Sequence, residues 1–277
     1  MEEIPHTYPI KAYHENLEFR ICEKTAYIQG SLHKFYNRYV LNQKENPELY
    51  PYLEDNNYND FYYLQIIHTL ETYKELFDGL DLDTATISEL EFGFNITTQK
   101  PPKKYIEQNF LLYQYKAPVS NYAEKGKFYK RFEHNKFAFK IYSKKDQKHL
   151  DTNILRIEIV IKSTHLKLLN ITRFSNLFKE ESIDNLYKLF CENFEYFLLV
   201  DNRFARTDIQ YNTINSLGNY LEPTYWIHLK GTSNINRKKQ KLQELLKNNN
   251  LLNTRIGIIE LLIRKYEQLR YGIVDDS

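Results

Sequence analysis

The chain has 277 residues, 42% of them hydrophobic, with a formal net charge of +2. That apolar content is too high for a disordered chain, and no apolar run approaches the roughly 18 residues that crossing a membrane requires. Cys22 and Cys191 have no metal-ligand spacing, which points to a reducing compartment. The acidic start Met1-Glu-Glu-Ile-Pro5 lacks the basic-then-apolar order of a secretion signal, so a cytoplasmic protein without a membrane partner is expected.

In chain order, residues 26–39 read as strand-rich. Residues 60–77 read as a helix with an Asp start, a stop at Gly79 and a core side of Phe61, Leu64, Ile67 and Leu70. A strand follows at 88–96, whose alternation places Leu90, Phe92, Phe94 and Ile96 on one face and Glu89, Glu91, Gly93 and Asn95 on the other. Pro101-Pro102 interrupts the pattern before an apolar segment at 110–115, and Ala117-Pro118 opens a loop. Segments 128–131 and 136–143 predict a hairpin around Glu133-His-Asn135. In its second strand Phe137, Phe139 and Ile141 point inward, while Lys136, Lys140, Tyr142 and Lys144 point away. After a polar loop, Leu155, Ile157, Ile159 and Ile161 repeat the apolar face, opposite Arg156, Glu158, Val160 and Lys162.

Beyond this strand the period turns helical. A short helix is expected at 164–169, and a longer one capped by Ser182 and running through Leu199, with Leu186, Leu189, Phe190 and Phe194 inward. From about Asn202 the chain reads as loop and then helices at 224–229, 237–247 and 254–270, the last with a stripe of Ile258, Leu261, Leu262 and Leu269. The expected class is α+β, with an antiparallel sheet and helices on one face in residues 1–201 and a helical segment in 202–277.

Three strands thus offer one face bearing Glu91, Asn95, Tyr142, Lys140, Arg156 and Glu158. Carboxylates suit magnesium or manganese, which bind hard oxygen donors and retain several waters. A phenol with an ordinary pKa of about 10 needs a metal, a cation or a base before it attacks at neutral pH, and Lys140 and Lys144 share its face. Four strand residues span about 13 Å, so Glu91 and Asn95 share no ion unless the strand bends. Polar outer faces are also the ordinary form of antiparallel strands, and 24 tyrosines place some on strands by chance.

Basic residues crowd around Tyr142: Lys125, Lys127, Lys130, Arg131, Lys136, Lys140, Lys144, Lys145 and Lys148. A second run, Arg237-Lys-Lys-Gln-Lys241, opens a helix, and acids gather at 45–60. Such cations displace counterions from phosphates, and interleaved Phe128, Tyr129 and Phe132 could stack on unpaired bases; a solvated lysine-rich surface is the alternative. Lys34, beside His33, is a further phosphate contact candidate.

Three motifs, Glu89-Leu-Glu-Phe-Gly-Phe-Asn95, Phe139-Lys-Ile-Tyr-Ser-Lys144 and Arg156-Ile-Glu-Ile-Val-Ile161, in this order resemble the initiators of rolling-circle replication in plasmids of Gram-positive bacteria. Gln29-Gly-Ser-Leu-His-Lys-Phe-Tyr36, followed by Asn56-Asn-Tyr-Asn-Asp-Phe61, is similar to phage replication proteins of the gene II and gene X type. The resemblance implies a replication-initiator nicking domain in 1–201 that cuts one strand of a circular duplex and stays attached through tyrosine. By motif position Tyr142 is the nucleophile and Glu91 and Glu158 are the metal-site acids, with Asn95 beside them; the cations Lys140, Lys144 and Arg156 are expected to stabilise the phosphate charge. Magnesium or manganese is the implied cofactor. Lys34, Lys130, Arg131, Lys144, Lys145, Arg237, Lys238 and Lys239 are the expected DNA contacts.

The implied partners are double- and single-stranded origin DNA, a host helicase and polymerase, and a second copy of the chain, in the cytoplasm of a bacterial host cell. Glu91 and Asn95 stand where the family pattern has aspartates, and Asn95 supplies no charge. That substitution supports an alternative, a non-catalytic DNA-binding accessory or repressor. A second class of nicking enzyme chelates its metal with two histidines one residue apart and carries its tyrosine on a helix. None of the eight histidines here has that spacing, and Tyr266, the analogous candidate, reads as an ordinary helix residue. An RNA-binding sheet is disfavoured because the strand aromatics point inward.

Overall fold

The computed structural model describes residues 8–41, 56–121, 128–201 and 209–272. The N-terminal Met1-Glu-Glu-Ile-Pro5, the acids between 45 and 55, and Lys125 and Lys127 lie outside the described residues. Of the described residues 50% are helical and 23% are in strands, and the sheets are antiparallel, so the α+β class stands. It forms two compact units, residues 1–84 with 268–277, and residues 85–267, so the expected segment 1–201 draws on both.

In the first unit, β1 (Ile10–His14), β2 (Leu17–Ile21) and β3 (Ala26–Gln29) make a three-stranded sheet in that order. The strand reading of 26–39 holds only as far as Gln29. Ser31 then caps helix α1 (Leu32–Phe35), its hydroxyl accepting the Lys34 N–H at 3.3 Å, and a π-helical turn Tyr36–Val40 follows. A capping side chain has overridden a β-like residue pattern. Helix α2 (Tyr63–Leu76) begins three residues after Asp60, where the Tyr62 N–H donates to Gln65 Oε1 at 2.8 Å. Asp60 instead accepts from Gln268 Nε2 at 3.0 Å. The buried face of α2 is Tyr63, Thr69, Leu70 and Tyr73, and Leu64 is 77% exposed, contrary to expectation. Tyr73, edge-on to Phe35 at 4.5 Å, sets that register.

The second unit runs β4 (Glu89–Thr97), α3 (Pro102–Gln108), β5 (Phe110–Tyr113), β6 (Ser120–Asn121), β7 (Tyr129–Glu133), β8 (Phe137–Ser143), α4 (Lys144–Lys148), β9 (Ile154–Lys162), α5 (Ser163–Leu166), α6 (Glu180–Phe194), β10 (Phe197–Leu199), α7 (Tyr211–Leu221), α8 (Pro223–Leu229), α9 (Ile235–Asn248) and α10 (Asn253–Tyr271), whose last residues belong to the first unit. Five strands form one sheet in the order β4-β9-β8-β7-β6. Its apolar face buries Phe94 and Ile96, Phe137, Phe139 and Ile141, and Leu155, Ile157, Ile159 and Ile161, as the alternation requires. Helix α6 lies against that face, with Phe190 edge-on to Phe94 at 5.2 Å and to Phe139 at 5.7 Å.

Helix α6 does not continue to Leu199. It stops at Phe194, and β10 pairs with β5 as a two-stranded sheet. Phe197, Leu198 and Leu199 are all buried, because this short ladder is covered on both sides. Phe197 meets Phe139 at 5.0 Å, while Leu198 and Leu112 join a second core with Leu217, Tyr220, Trp226, Leu242 and Leu246. Ser182 is not the cap. It lies in the first turn of α6, and its hydroxyl donates to the Asn176 carbonyl at 2.7 Å. On α10, Ile258, Leu262 and Tyr266 are buried and Leu261 and Leu269 half-buried.

Candidate active site

The apolar alternation of β8 and β9 locks their pairing, because a slip of one residue would turn both core faces outward. The locked register lays the polar face out in ranks. Asn95, Arg156, Tyr142 and Tyr129 are successive cross-strand partners; the next rank is Gly93, Glu158, Lys140 and Arg131; the third is Glu91, Val160, Ala138 and Glu133. Tyr142, Glu91, Glu158, Asn95, Lys140 and Arg156 therefore share one face.

Arg156 and Glu158 form the centre. Arg156 Nε donates to Glu158 Oε1 at 2.5 Å, and its Nη1 donates to Asn95 Oδ1 at 3.0 Å. The Lys140 ammonium pairs with Glu91. Tyr142 hydrogen-bonds Glu158, and the Lys144 ammonium lies 5.2 Å from the centre of the Tyr142 ring while donating to Gln147 Oε1 at 3.0 Å. On β7, Arg131 Nε donates to Glu133 Oε1 at 2.5 Å.

The charges of this face are strongly coupled. Glu158 is only 4% exposed, and burial alone would raise its carboxyl. The charge and hydrogen bond of Arg156, with Lys140 and Lys144, outweigh burial and hold it below the ordinary carboxylate range. Burial pushes the Tyr142 phenol well above its ordinary value; Arg156 pulls it down, and Glu158 and Glu91 push it further up. At neutral pH Tyr142 is thus a neutral phenol donating to a carboxylate. Its ionisation requires that the negative charge of Glu158 and Glu91 be offset.

Gly93 makes room for Glu158. A Cβ at residue 93 would stand 2.3 Å from the Ile157 carbonyl oxygen and 2.7 Å from Glu158 Cα, backbone atoms that cannot swing away. Gly93→Ala is expected to destabilise the protein by about 1–3 kcal/mol, the usual cost of overpacking, by forcing β4 off β9. A urea melt with an unchanged slope and a lowered midpoint checks it.

No family model, curated protein or solved structure matches the chain. Among the described residues no helix is long and apolar enough to cross a membrane. The site therefore has to be read from its own chemistry. Among the described residues no group of three or more His, Cys, Asp or Glu could hold a metal ion, and the acids of this face that act on Tyr142 are Glu158 and Glu91. Glu158 faces Gly93 and is diagonal to Glu91 two residues along β4, a spacing of about 7–8 Å that two long side chains can close. Two carboxylates fit magnesium or manganese, which bind one or two such groups and fill the remaining positions with water and substrate phosphate. Asn95 is engaged with Arg156 and is separated from Glu91 by the intervening rank.

The other expected DNA contacts are dispersed. Lys130 lies on the opposite face of β7 from Tyr142, where its ammonium donates to the Phe110 carbonyl at 2.8 Å. Burial lowers its pKa to about 8, against a smaller rise from Glu107. Its unfolded value is 10.5, so between pH 8 and 10.5 the unfolded chain binds more protons, and stability rises with pH across that window and is lost as pH falls through 8. Wild type is expected to gain stability between pH 8 and 10, and Lys130→Met to lack that gain, in urea melts at each pH.

Lys145 donates to the Asp151 carbonyl at 2.8 Å. Lys34 is in the first unit, next to His33, which is buried, stacked on Phe61 at 4.6 Å and bonded to Asn59 at 2.9 Å. On α9, Arg237 is exposed, Lys238 is half-buried, and the Lys239 ammonium lies 4.9 Å from the centre of the Tyr115 ring. Tyr266 stacks on Tyr187 at 3.6 Å and donates to Asp184 at 2.5 Å, an interior helix residue.

Two contributors escaped the sequence reading. Ser143 caps α4, accepting the Asp146 N–H at 3.1 Å, and so fixes the turn directly after Tyr142; the Ser-x-x-Asp spacing was the available signal. Gly93 left none, because close approach to β9 depends on the register.

Proposed function

We propose that the chain is a replication initiator that nicks and rejoins one DNA strand through a phosphotyrosine at Tyr142, with magnesium or manganese, to start rolling-circle replication of a phage or plasmid. The observation that carries this reading is the shared face on which a phenol, two carboxylates and two cations are interlocked. Tyr142 Oη attacks the scissile phosphorus, the bond to the 3′ oxygen breaks, and the freed 3′ hydroxyl primes synthesis. Glu158, already accepting from the phenol, would orient its Oη toward the phosphorus, and the phenol proton passes to solvent as the cations of the site offset the phenolate charge. Arg156 and Lys140 are placed to exchange their carboxylate partners for phosphate oxygens and to hold the charge that develops there. A divalent cation held by Glu91 and Glu158 would supply Lewis-acid polarisation of that phosphate. Origin DNA, a host helicase and polymerase, and a second copy of the chain are the partners this reading brings, in the cytoplasm of a bacterial host.

The pairing of both carboxylates with Lys140 and Arg156 favours a second reading, in which the same face binds DNA without cutting it. Incubation with supercoiled DNA carrying the cognate origin separates the two. Nicking that requires magnesium or manganese and stops with chelator supports the first; salt-sensitive, chelator-indifferent binding without cleavage supports the second.

A further inference from the structure

We propose that Lys140 keeps a divalent cation out of this site until a DNA phosphate draws it away, so that metal and DNA bind as a coupled pair; this rests on the reading of Glu91 and Glu158 as the cation's acids. Lys140 stands on β8, and its ammonium reaches across β9 to pair with Glu91 on β4. The path crosses the rank of Lys140, Glu158 and Gly93, where residue 93 offers no side chain to obstruct it. The same ammonium acts on Glu158 electrostatically. It is therefore engaged with both acids, the position that an ion shared by the two would take. Arg156 meanwhile holds Glu158 through Oε1 and is itself bonded to Asn95.

The two cations differ in how readily they move. The Lys140 and Glu91 side chains are 19% and 45% exposed, so their pair is solvent-screened and weak, and the flexible lysine stem can swing to another anion. Arg156 and Glu158 are 14% and 6% exposed, and a buried pair resists separation because the partner left behind keeps an uncompensated charge. Lys140 is thus the movable member. Charge balance then decides when it moves. Two carboxylates, Glu158 and Glu91, face three cations, Arg156, Lys140 and Lys144, and Lys144 is only 3% exposed. A divalent ion added to that surplus of one positive charge raises it to three, and the repulsion acts where solvent screens poorly. A phosphodiester beside the ion lowers the surplus and gives Lys140 a new partner. Arg131 and Glu133, on neighbouring β7, are paired with each other and leave this balance unchanged. By linkage, each of the two ligands then tightens the other by the same factor. The consequence is a site completed only on the strand to be cut.

The test measures Mn²⁺ binding, not cleavage, by loss of the free-ion electron paramagnetic resonance signal. Full-length Tyr142→Phe protein, to which no strand becomes attached, is titrated with Mn²⁺ alone and with random-sequence single-stranded DNA of about 12 nucleotides, a length within the span of one single-strand site. DNA with Mn²⁺ and no protein is the blank. Contacts to backbone phosphate carry no sequence information, so no origin need be known. DNA is expected to tighten Mn²⁺ roughly 10-fold or more, within the ordinary range of coupling between two ligands. Without DNA, Lys140→Met in the same background is expected to tighten Mn²⁺ by about that factor, because it removes the competing cation. Lys140→Arg, which keeps the charge, should leave Mn²⁺ weakly bound, and Glu91→Gln should lose it in every arm. Lys140→Gln gives the same reading should Lys140→Met fold poorly. Mn²⁺ bound equally well with and without DNA, or a folded Lys140→Met that binds it no better than its parent, would overturn the gating and leave the cation site standing. No Mn²⁺ bound by any of these proteins, with or without DNA, would remove the cation site and this proposal with it.

Discussion

Tyr142→Phe is expected to fold and to form no covalent adduct with DNA. The phenyl ring keeps the packing against Tyr129 and the Lys144 ammonium. What is lost is the hydroxyl that donates to Glu158, a hydrogen bond to a charged group worth about 1.5–3 kcal/mol, with Arg156 still holding that carboxylate. The chemical loss is far larger. Removing a covalent nucleophile lowers turnover by on the order of 10⁴–10⁶-fold, because the remaining groups bind and polarise a phosphate that nothing attacks. Strand cleavage on a denaturing gel should fall below detection while the circular dichroism melt stays cooperative.

Glu158→Ala should be among the most destabilising single substitutions in the sheet. It leaves Arg156, with a side chain only 14% exposed, without its main counter-charge. Breaking a buried pair from one side costs about 3–5 kcal/mol, whereas replacing both partners with apolar residues is often neutral. Arg156→Met combined with Glu158→Leu is therefore expected to recover most of the lost stability and none of the cleavage, which separates the structural share of this pair from its chemical share. The acid side of the stability profile should report the same pair. The Glu158 carboxyl is held below its unfolded value of 4.5, so its contribution is complete above that value and is lost as pH falls through the folded one. In Glu158→Ala this part of the acid limb should flatten, as followed by urea melts from neutral to acidic pH.

The central sheet was legible because its strands alternate strictly. Phe137, Phe139 and Ile141 against Lys140 and Tyr142 leave one arrangement that buries the apolar set, and the same holds for Ile157 and Ile159 against Arg156 and Glu158. The shared polar face followed from that alternation. What failed to show depended on partners distant in sequence. Leu64 matched the helix period of α2 as well as Tyr63 did, and the packing of Tyr73 on Phe35, distant in sequence, sets which side of the helix is buried. Phe197 to Leu199 extend an apolar helix pattern but pair with a strand some 85 residues earlier, a contact no local period encodes. Lys130 read as one more cation in a basic cluster, although the parity of β7 turns it away from Arg131 and toward the Phe110 carbonyl. The ion pairs of Glu91 and Glu158 were also invisible, because either acid had several cations within reach along the sequence.

The most direct test is to trap the protein on single-stranded DNA with manganese, digest it, and identify the residue that carries the nucleotide. The expected result is a single modified peptide, Ile141-Tyr-Ser-Lys144, abolished by chelator and by Tyr142→Phe. Cleavage that leaves the nucleotide on another residue, or DNA bound under every metal condition with no strand ever cut, would contradict it.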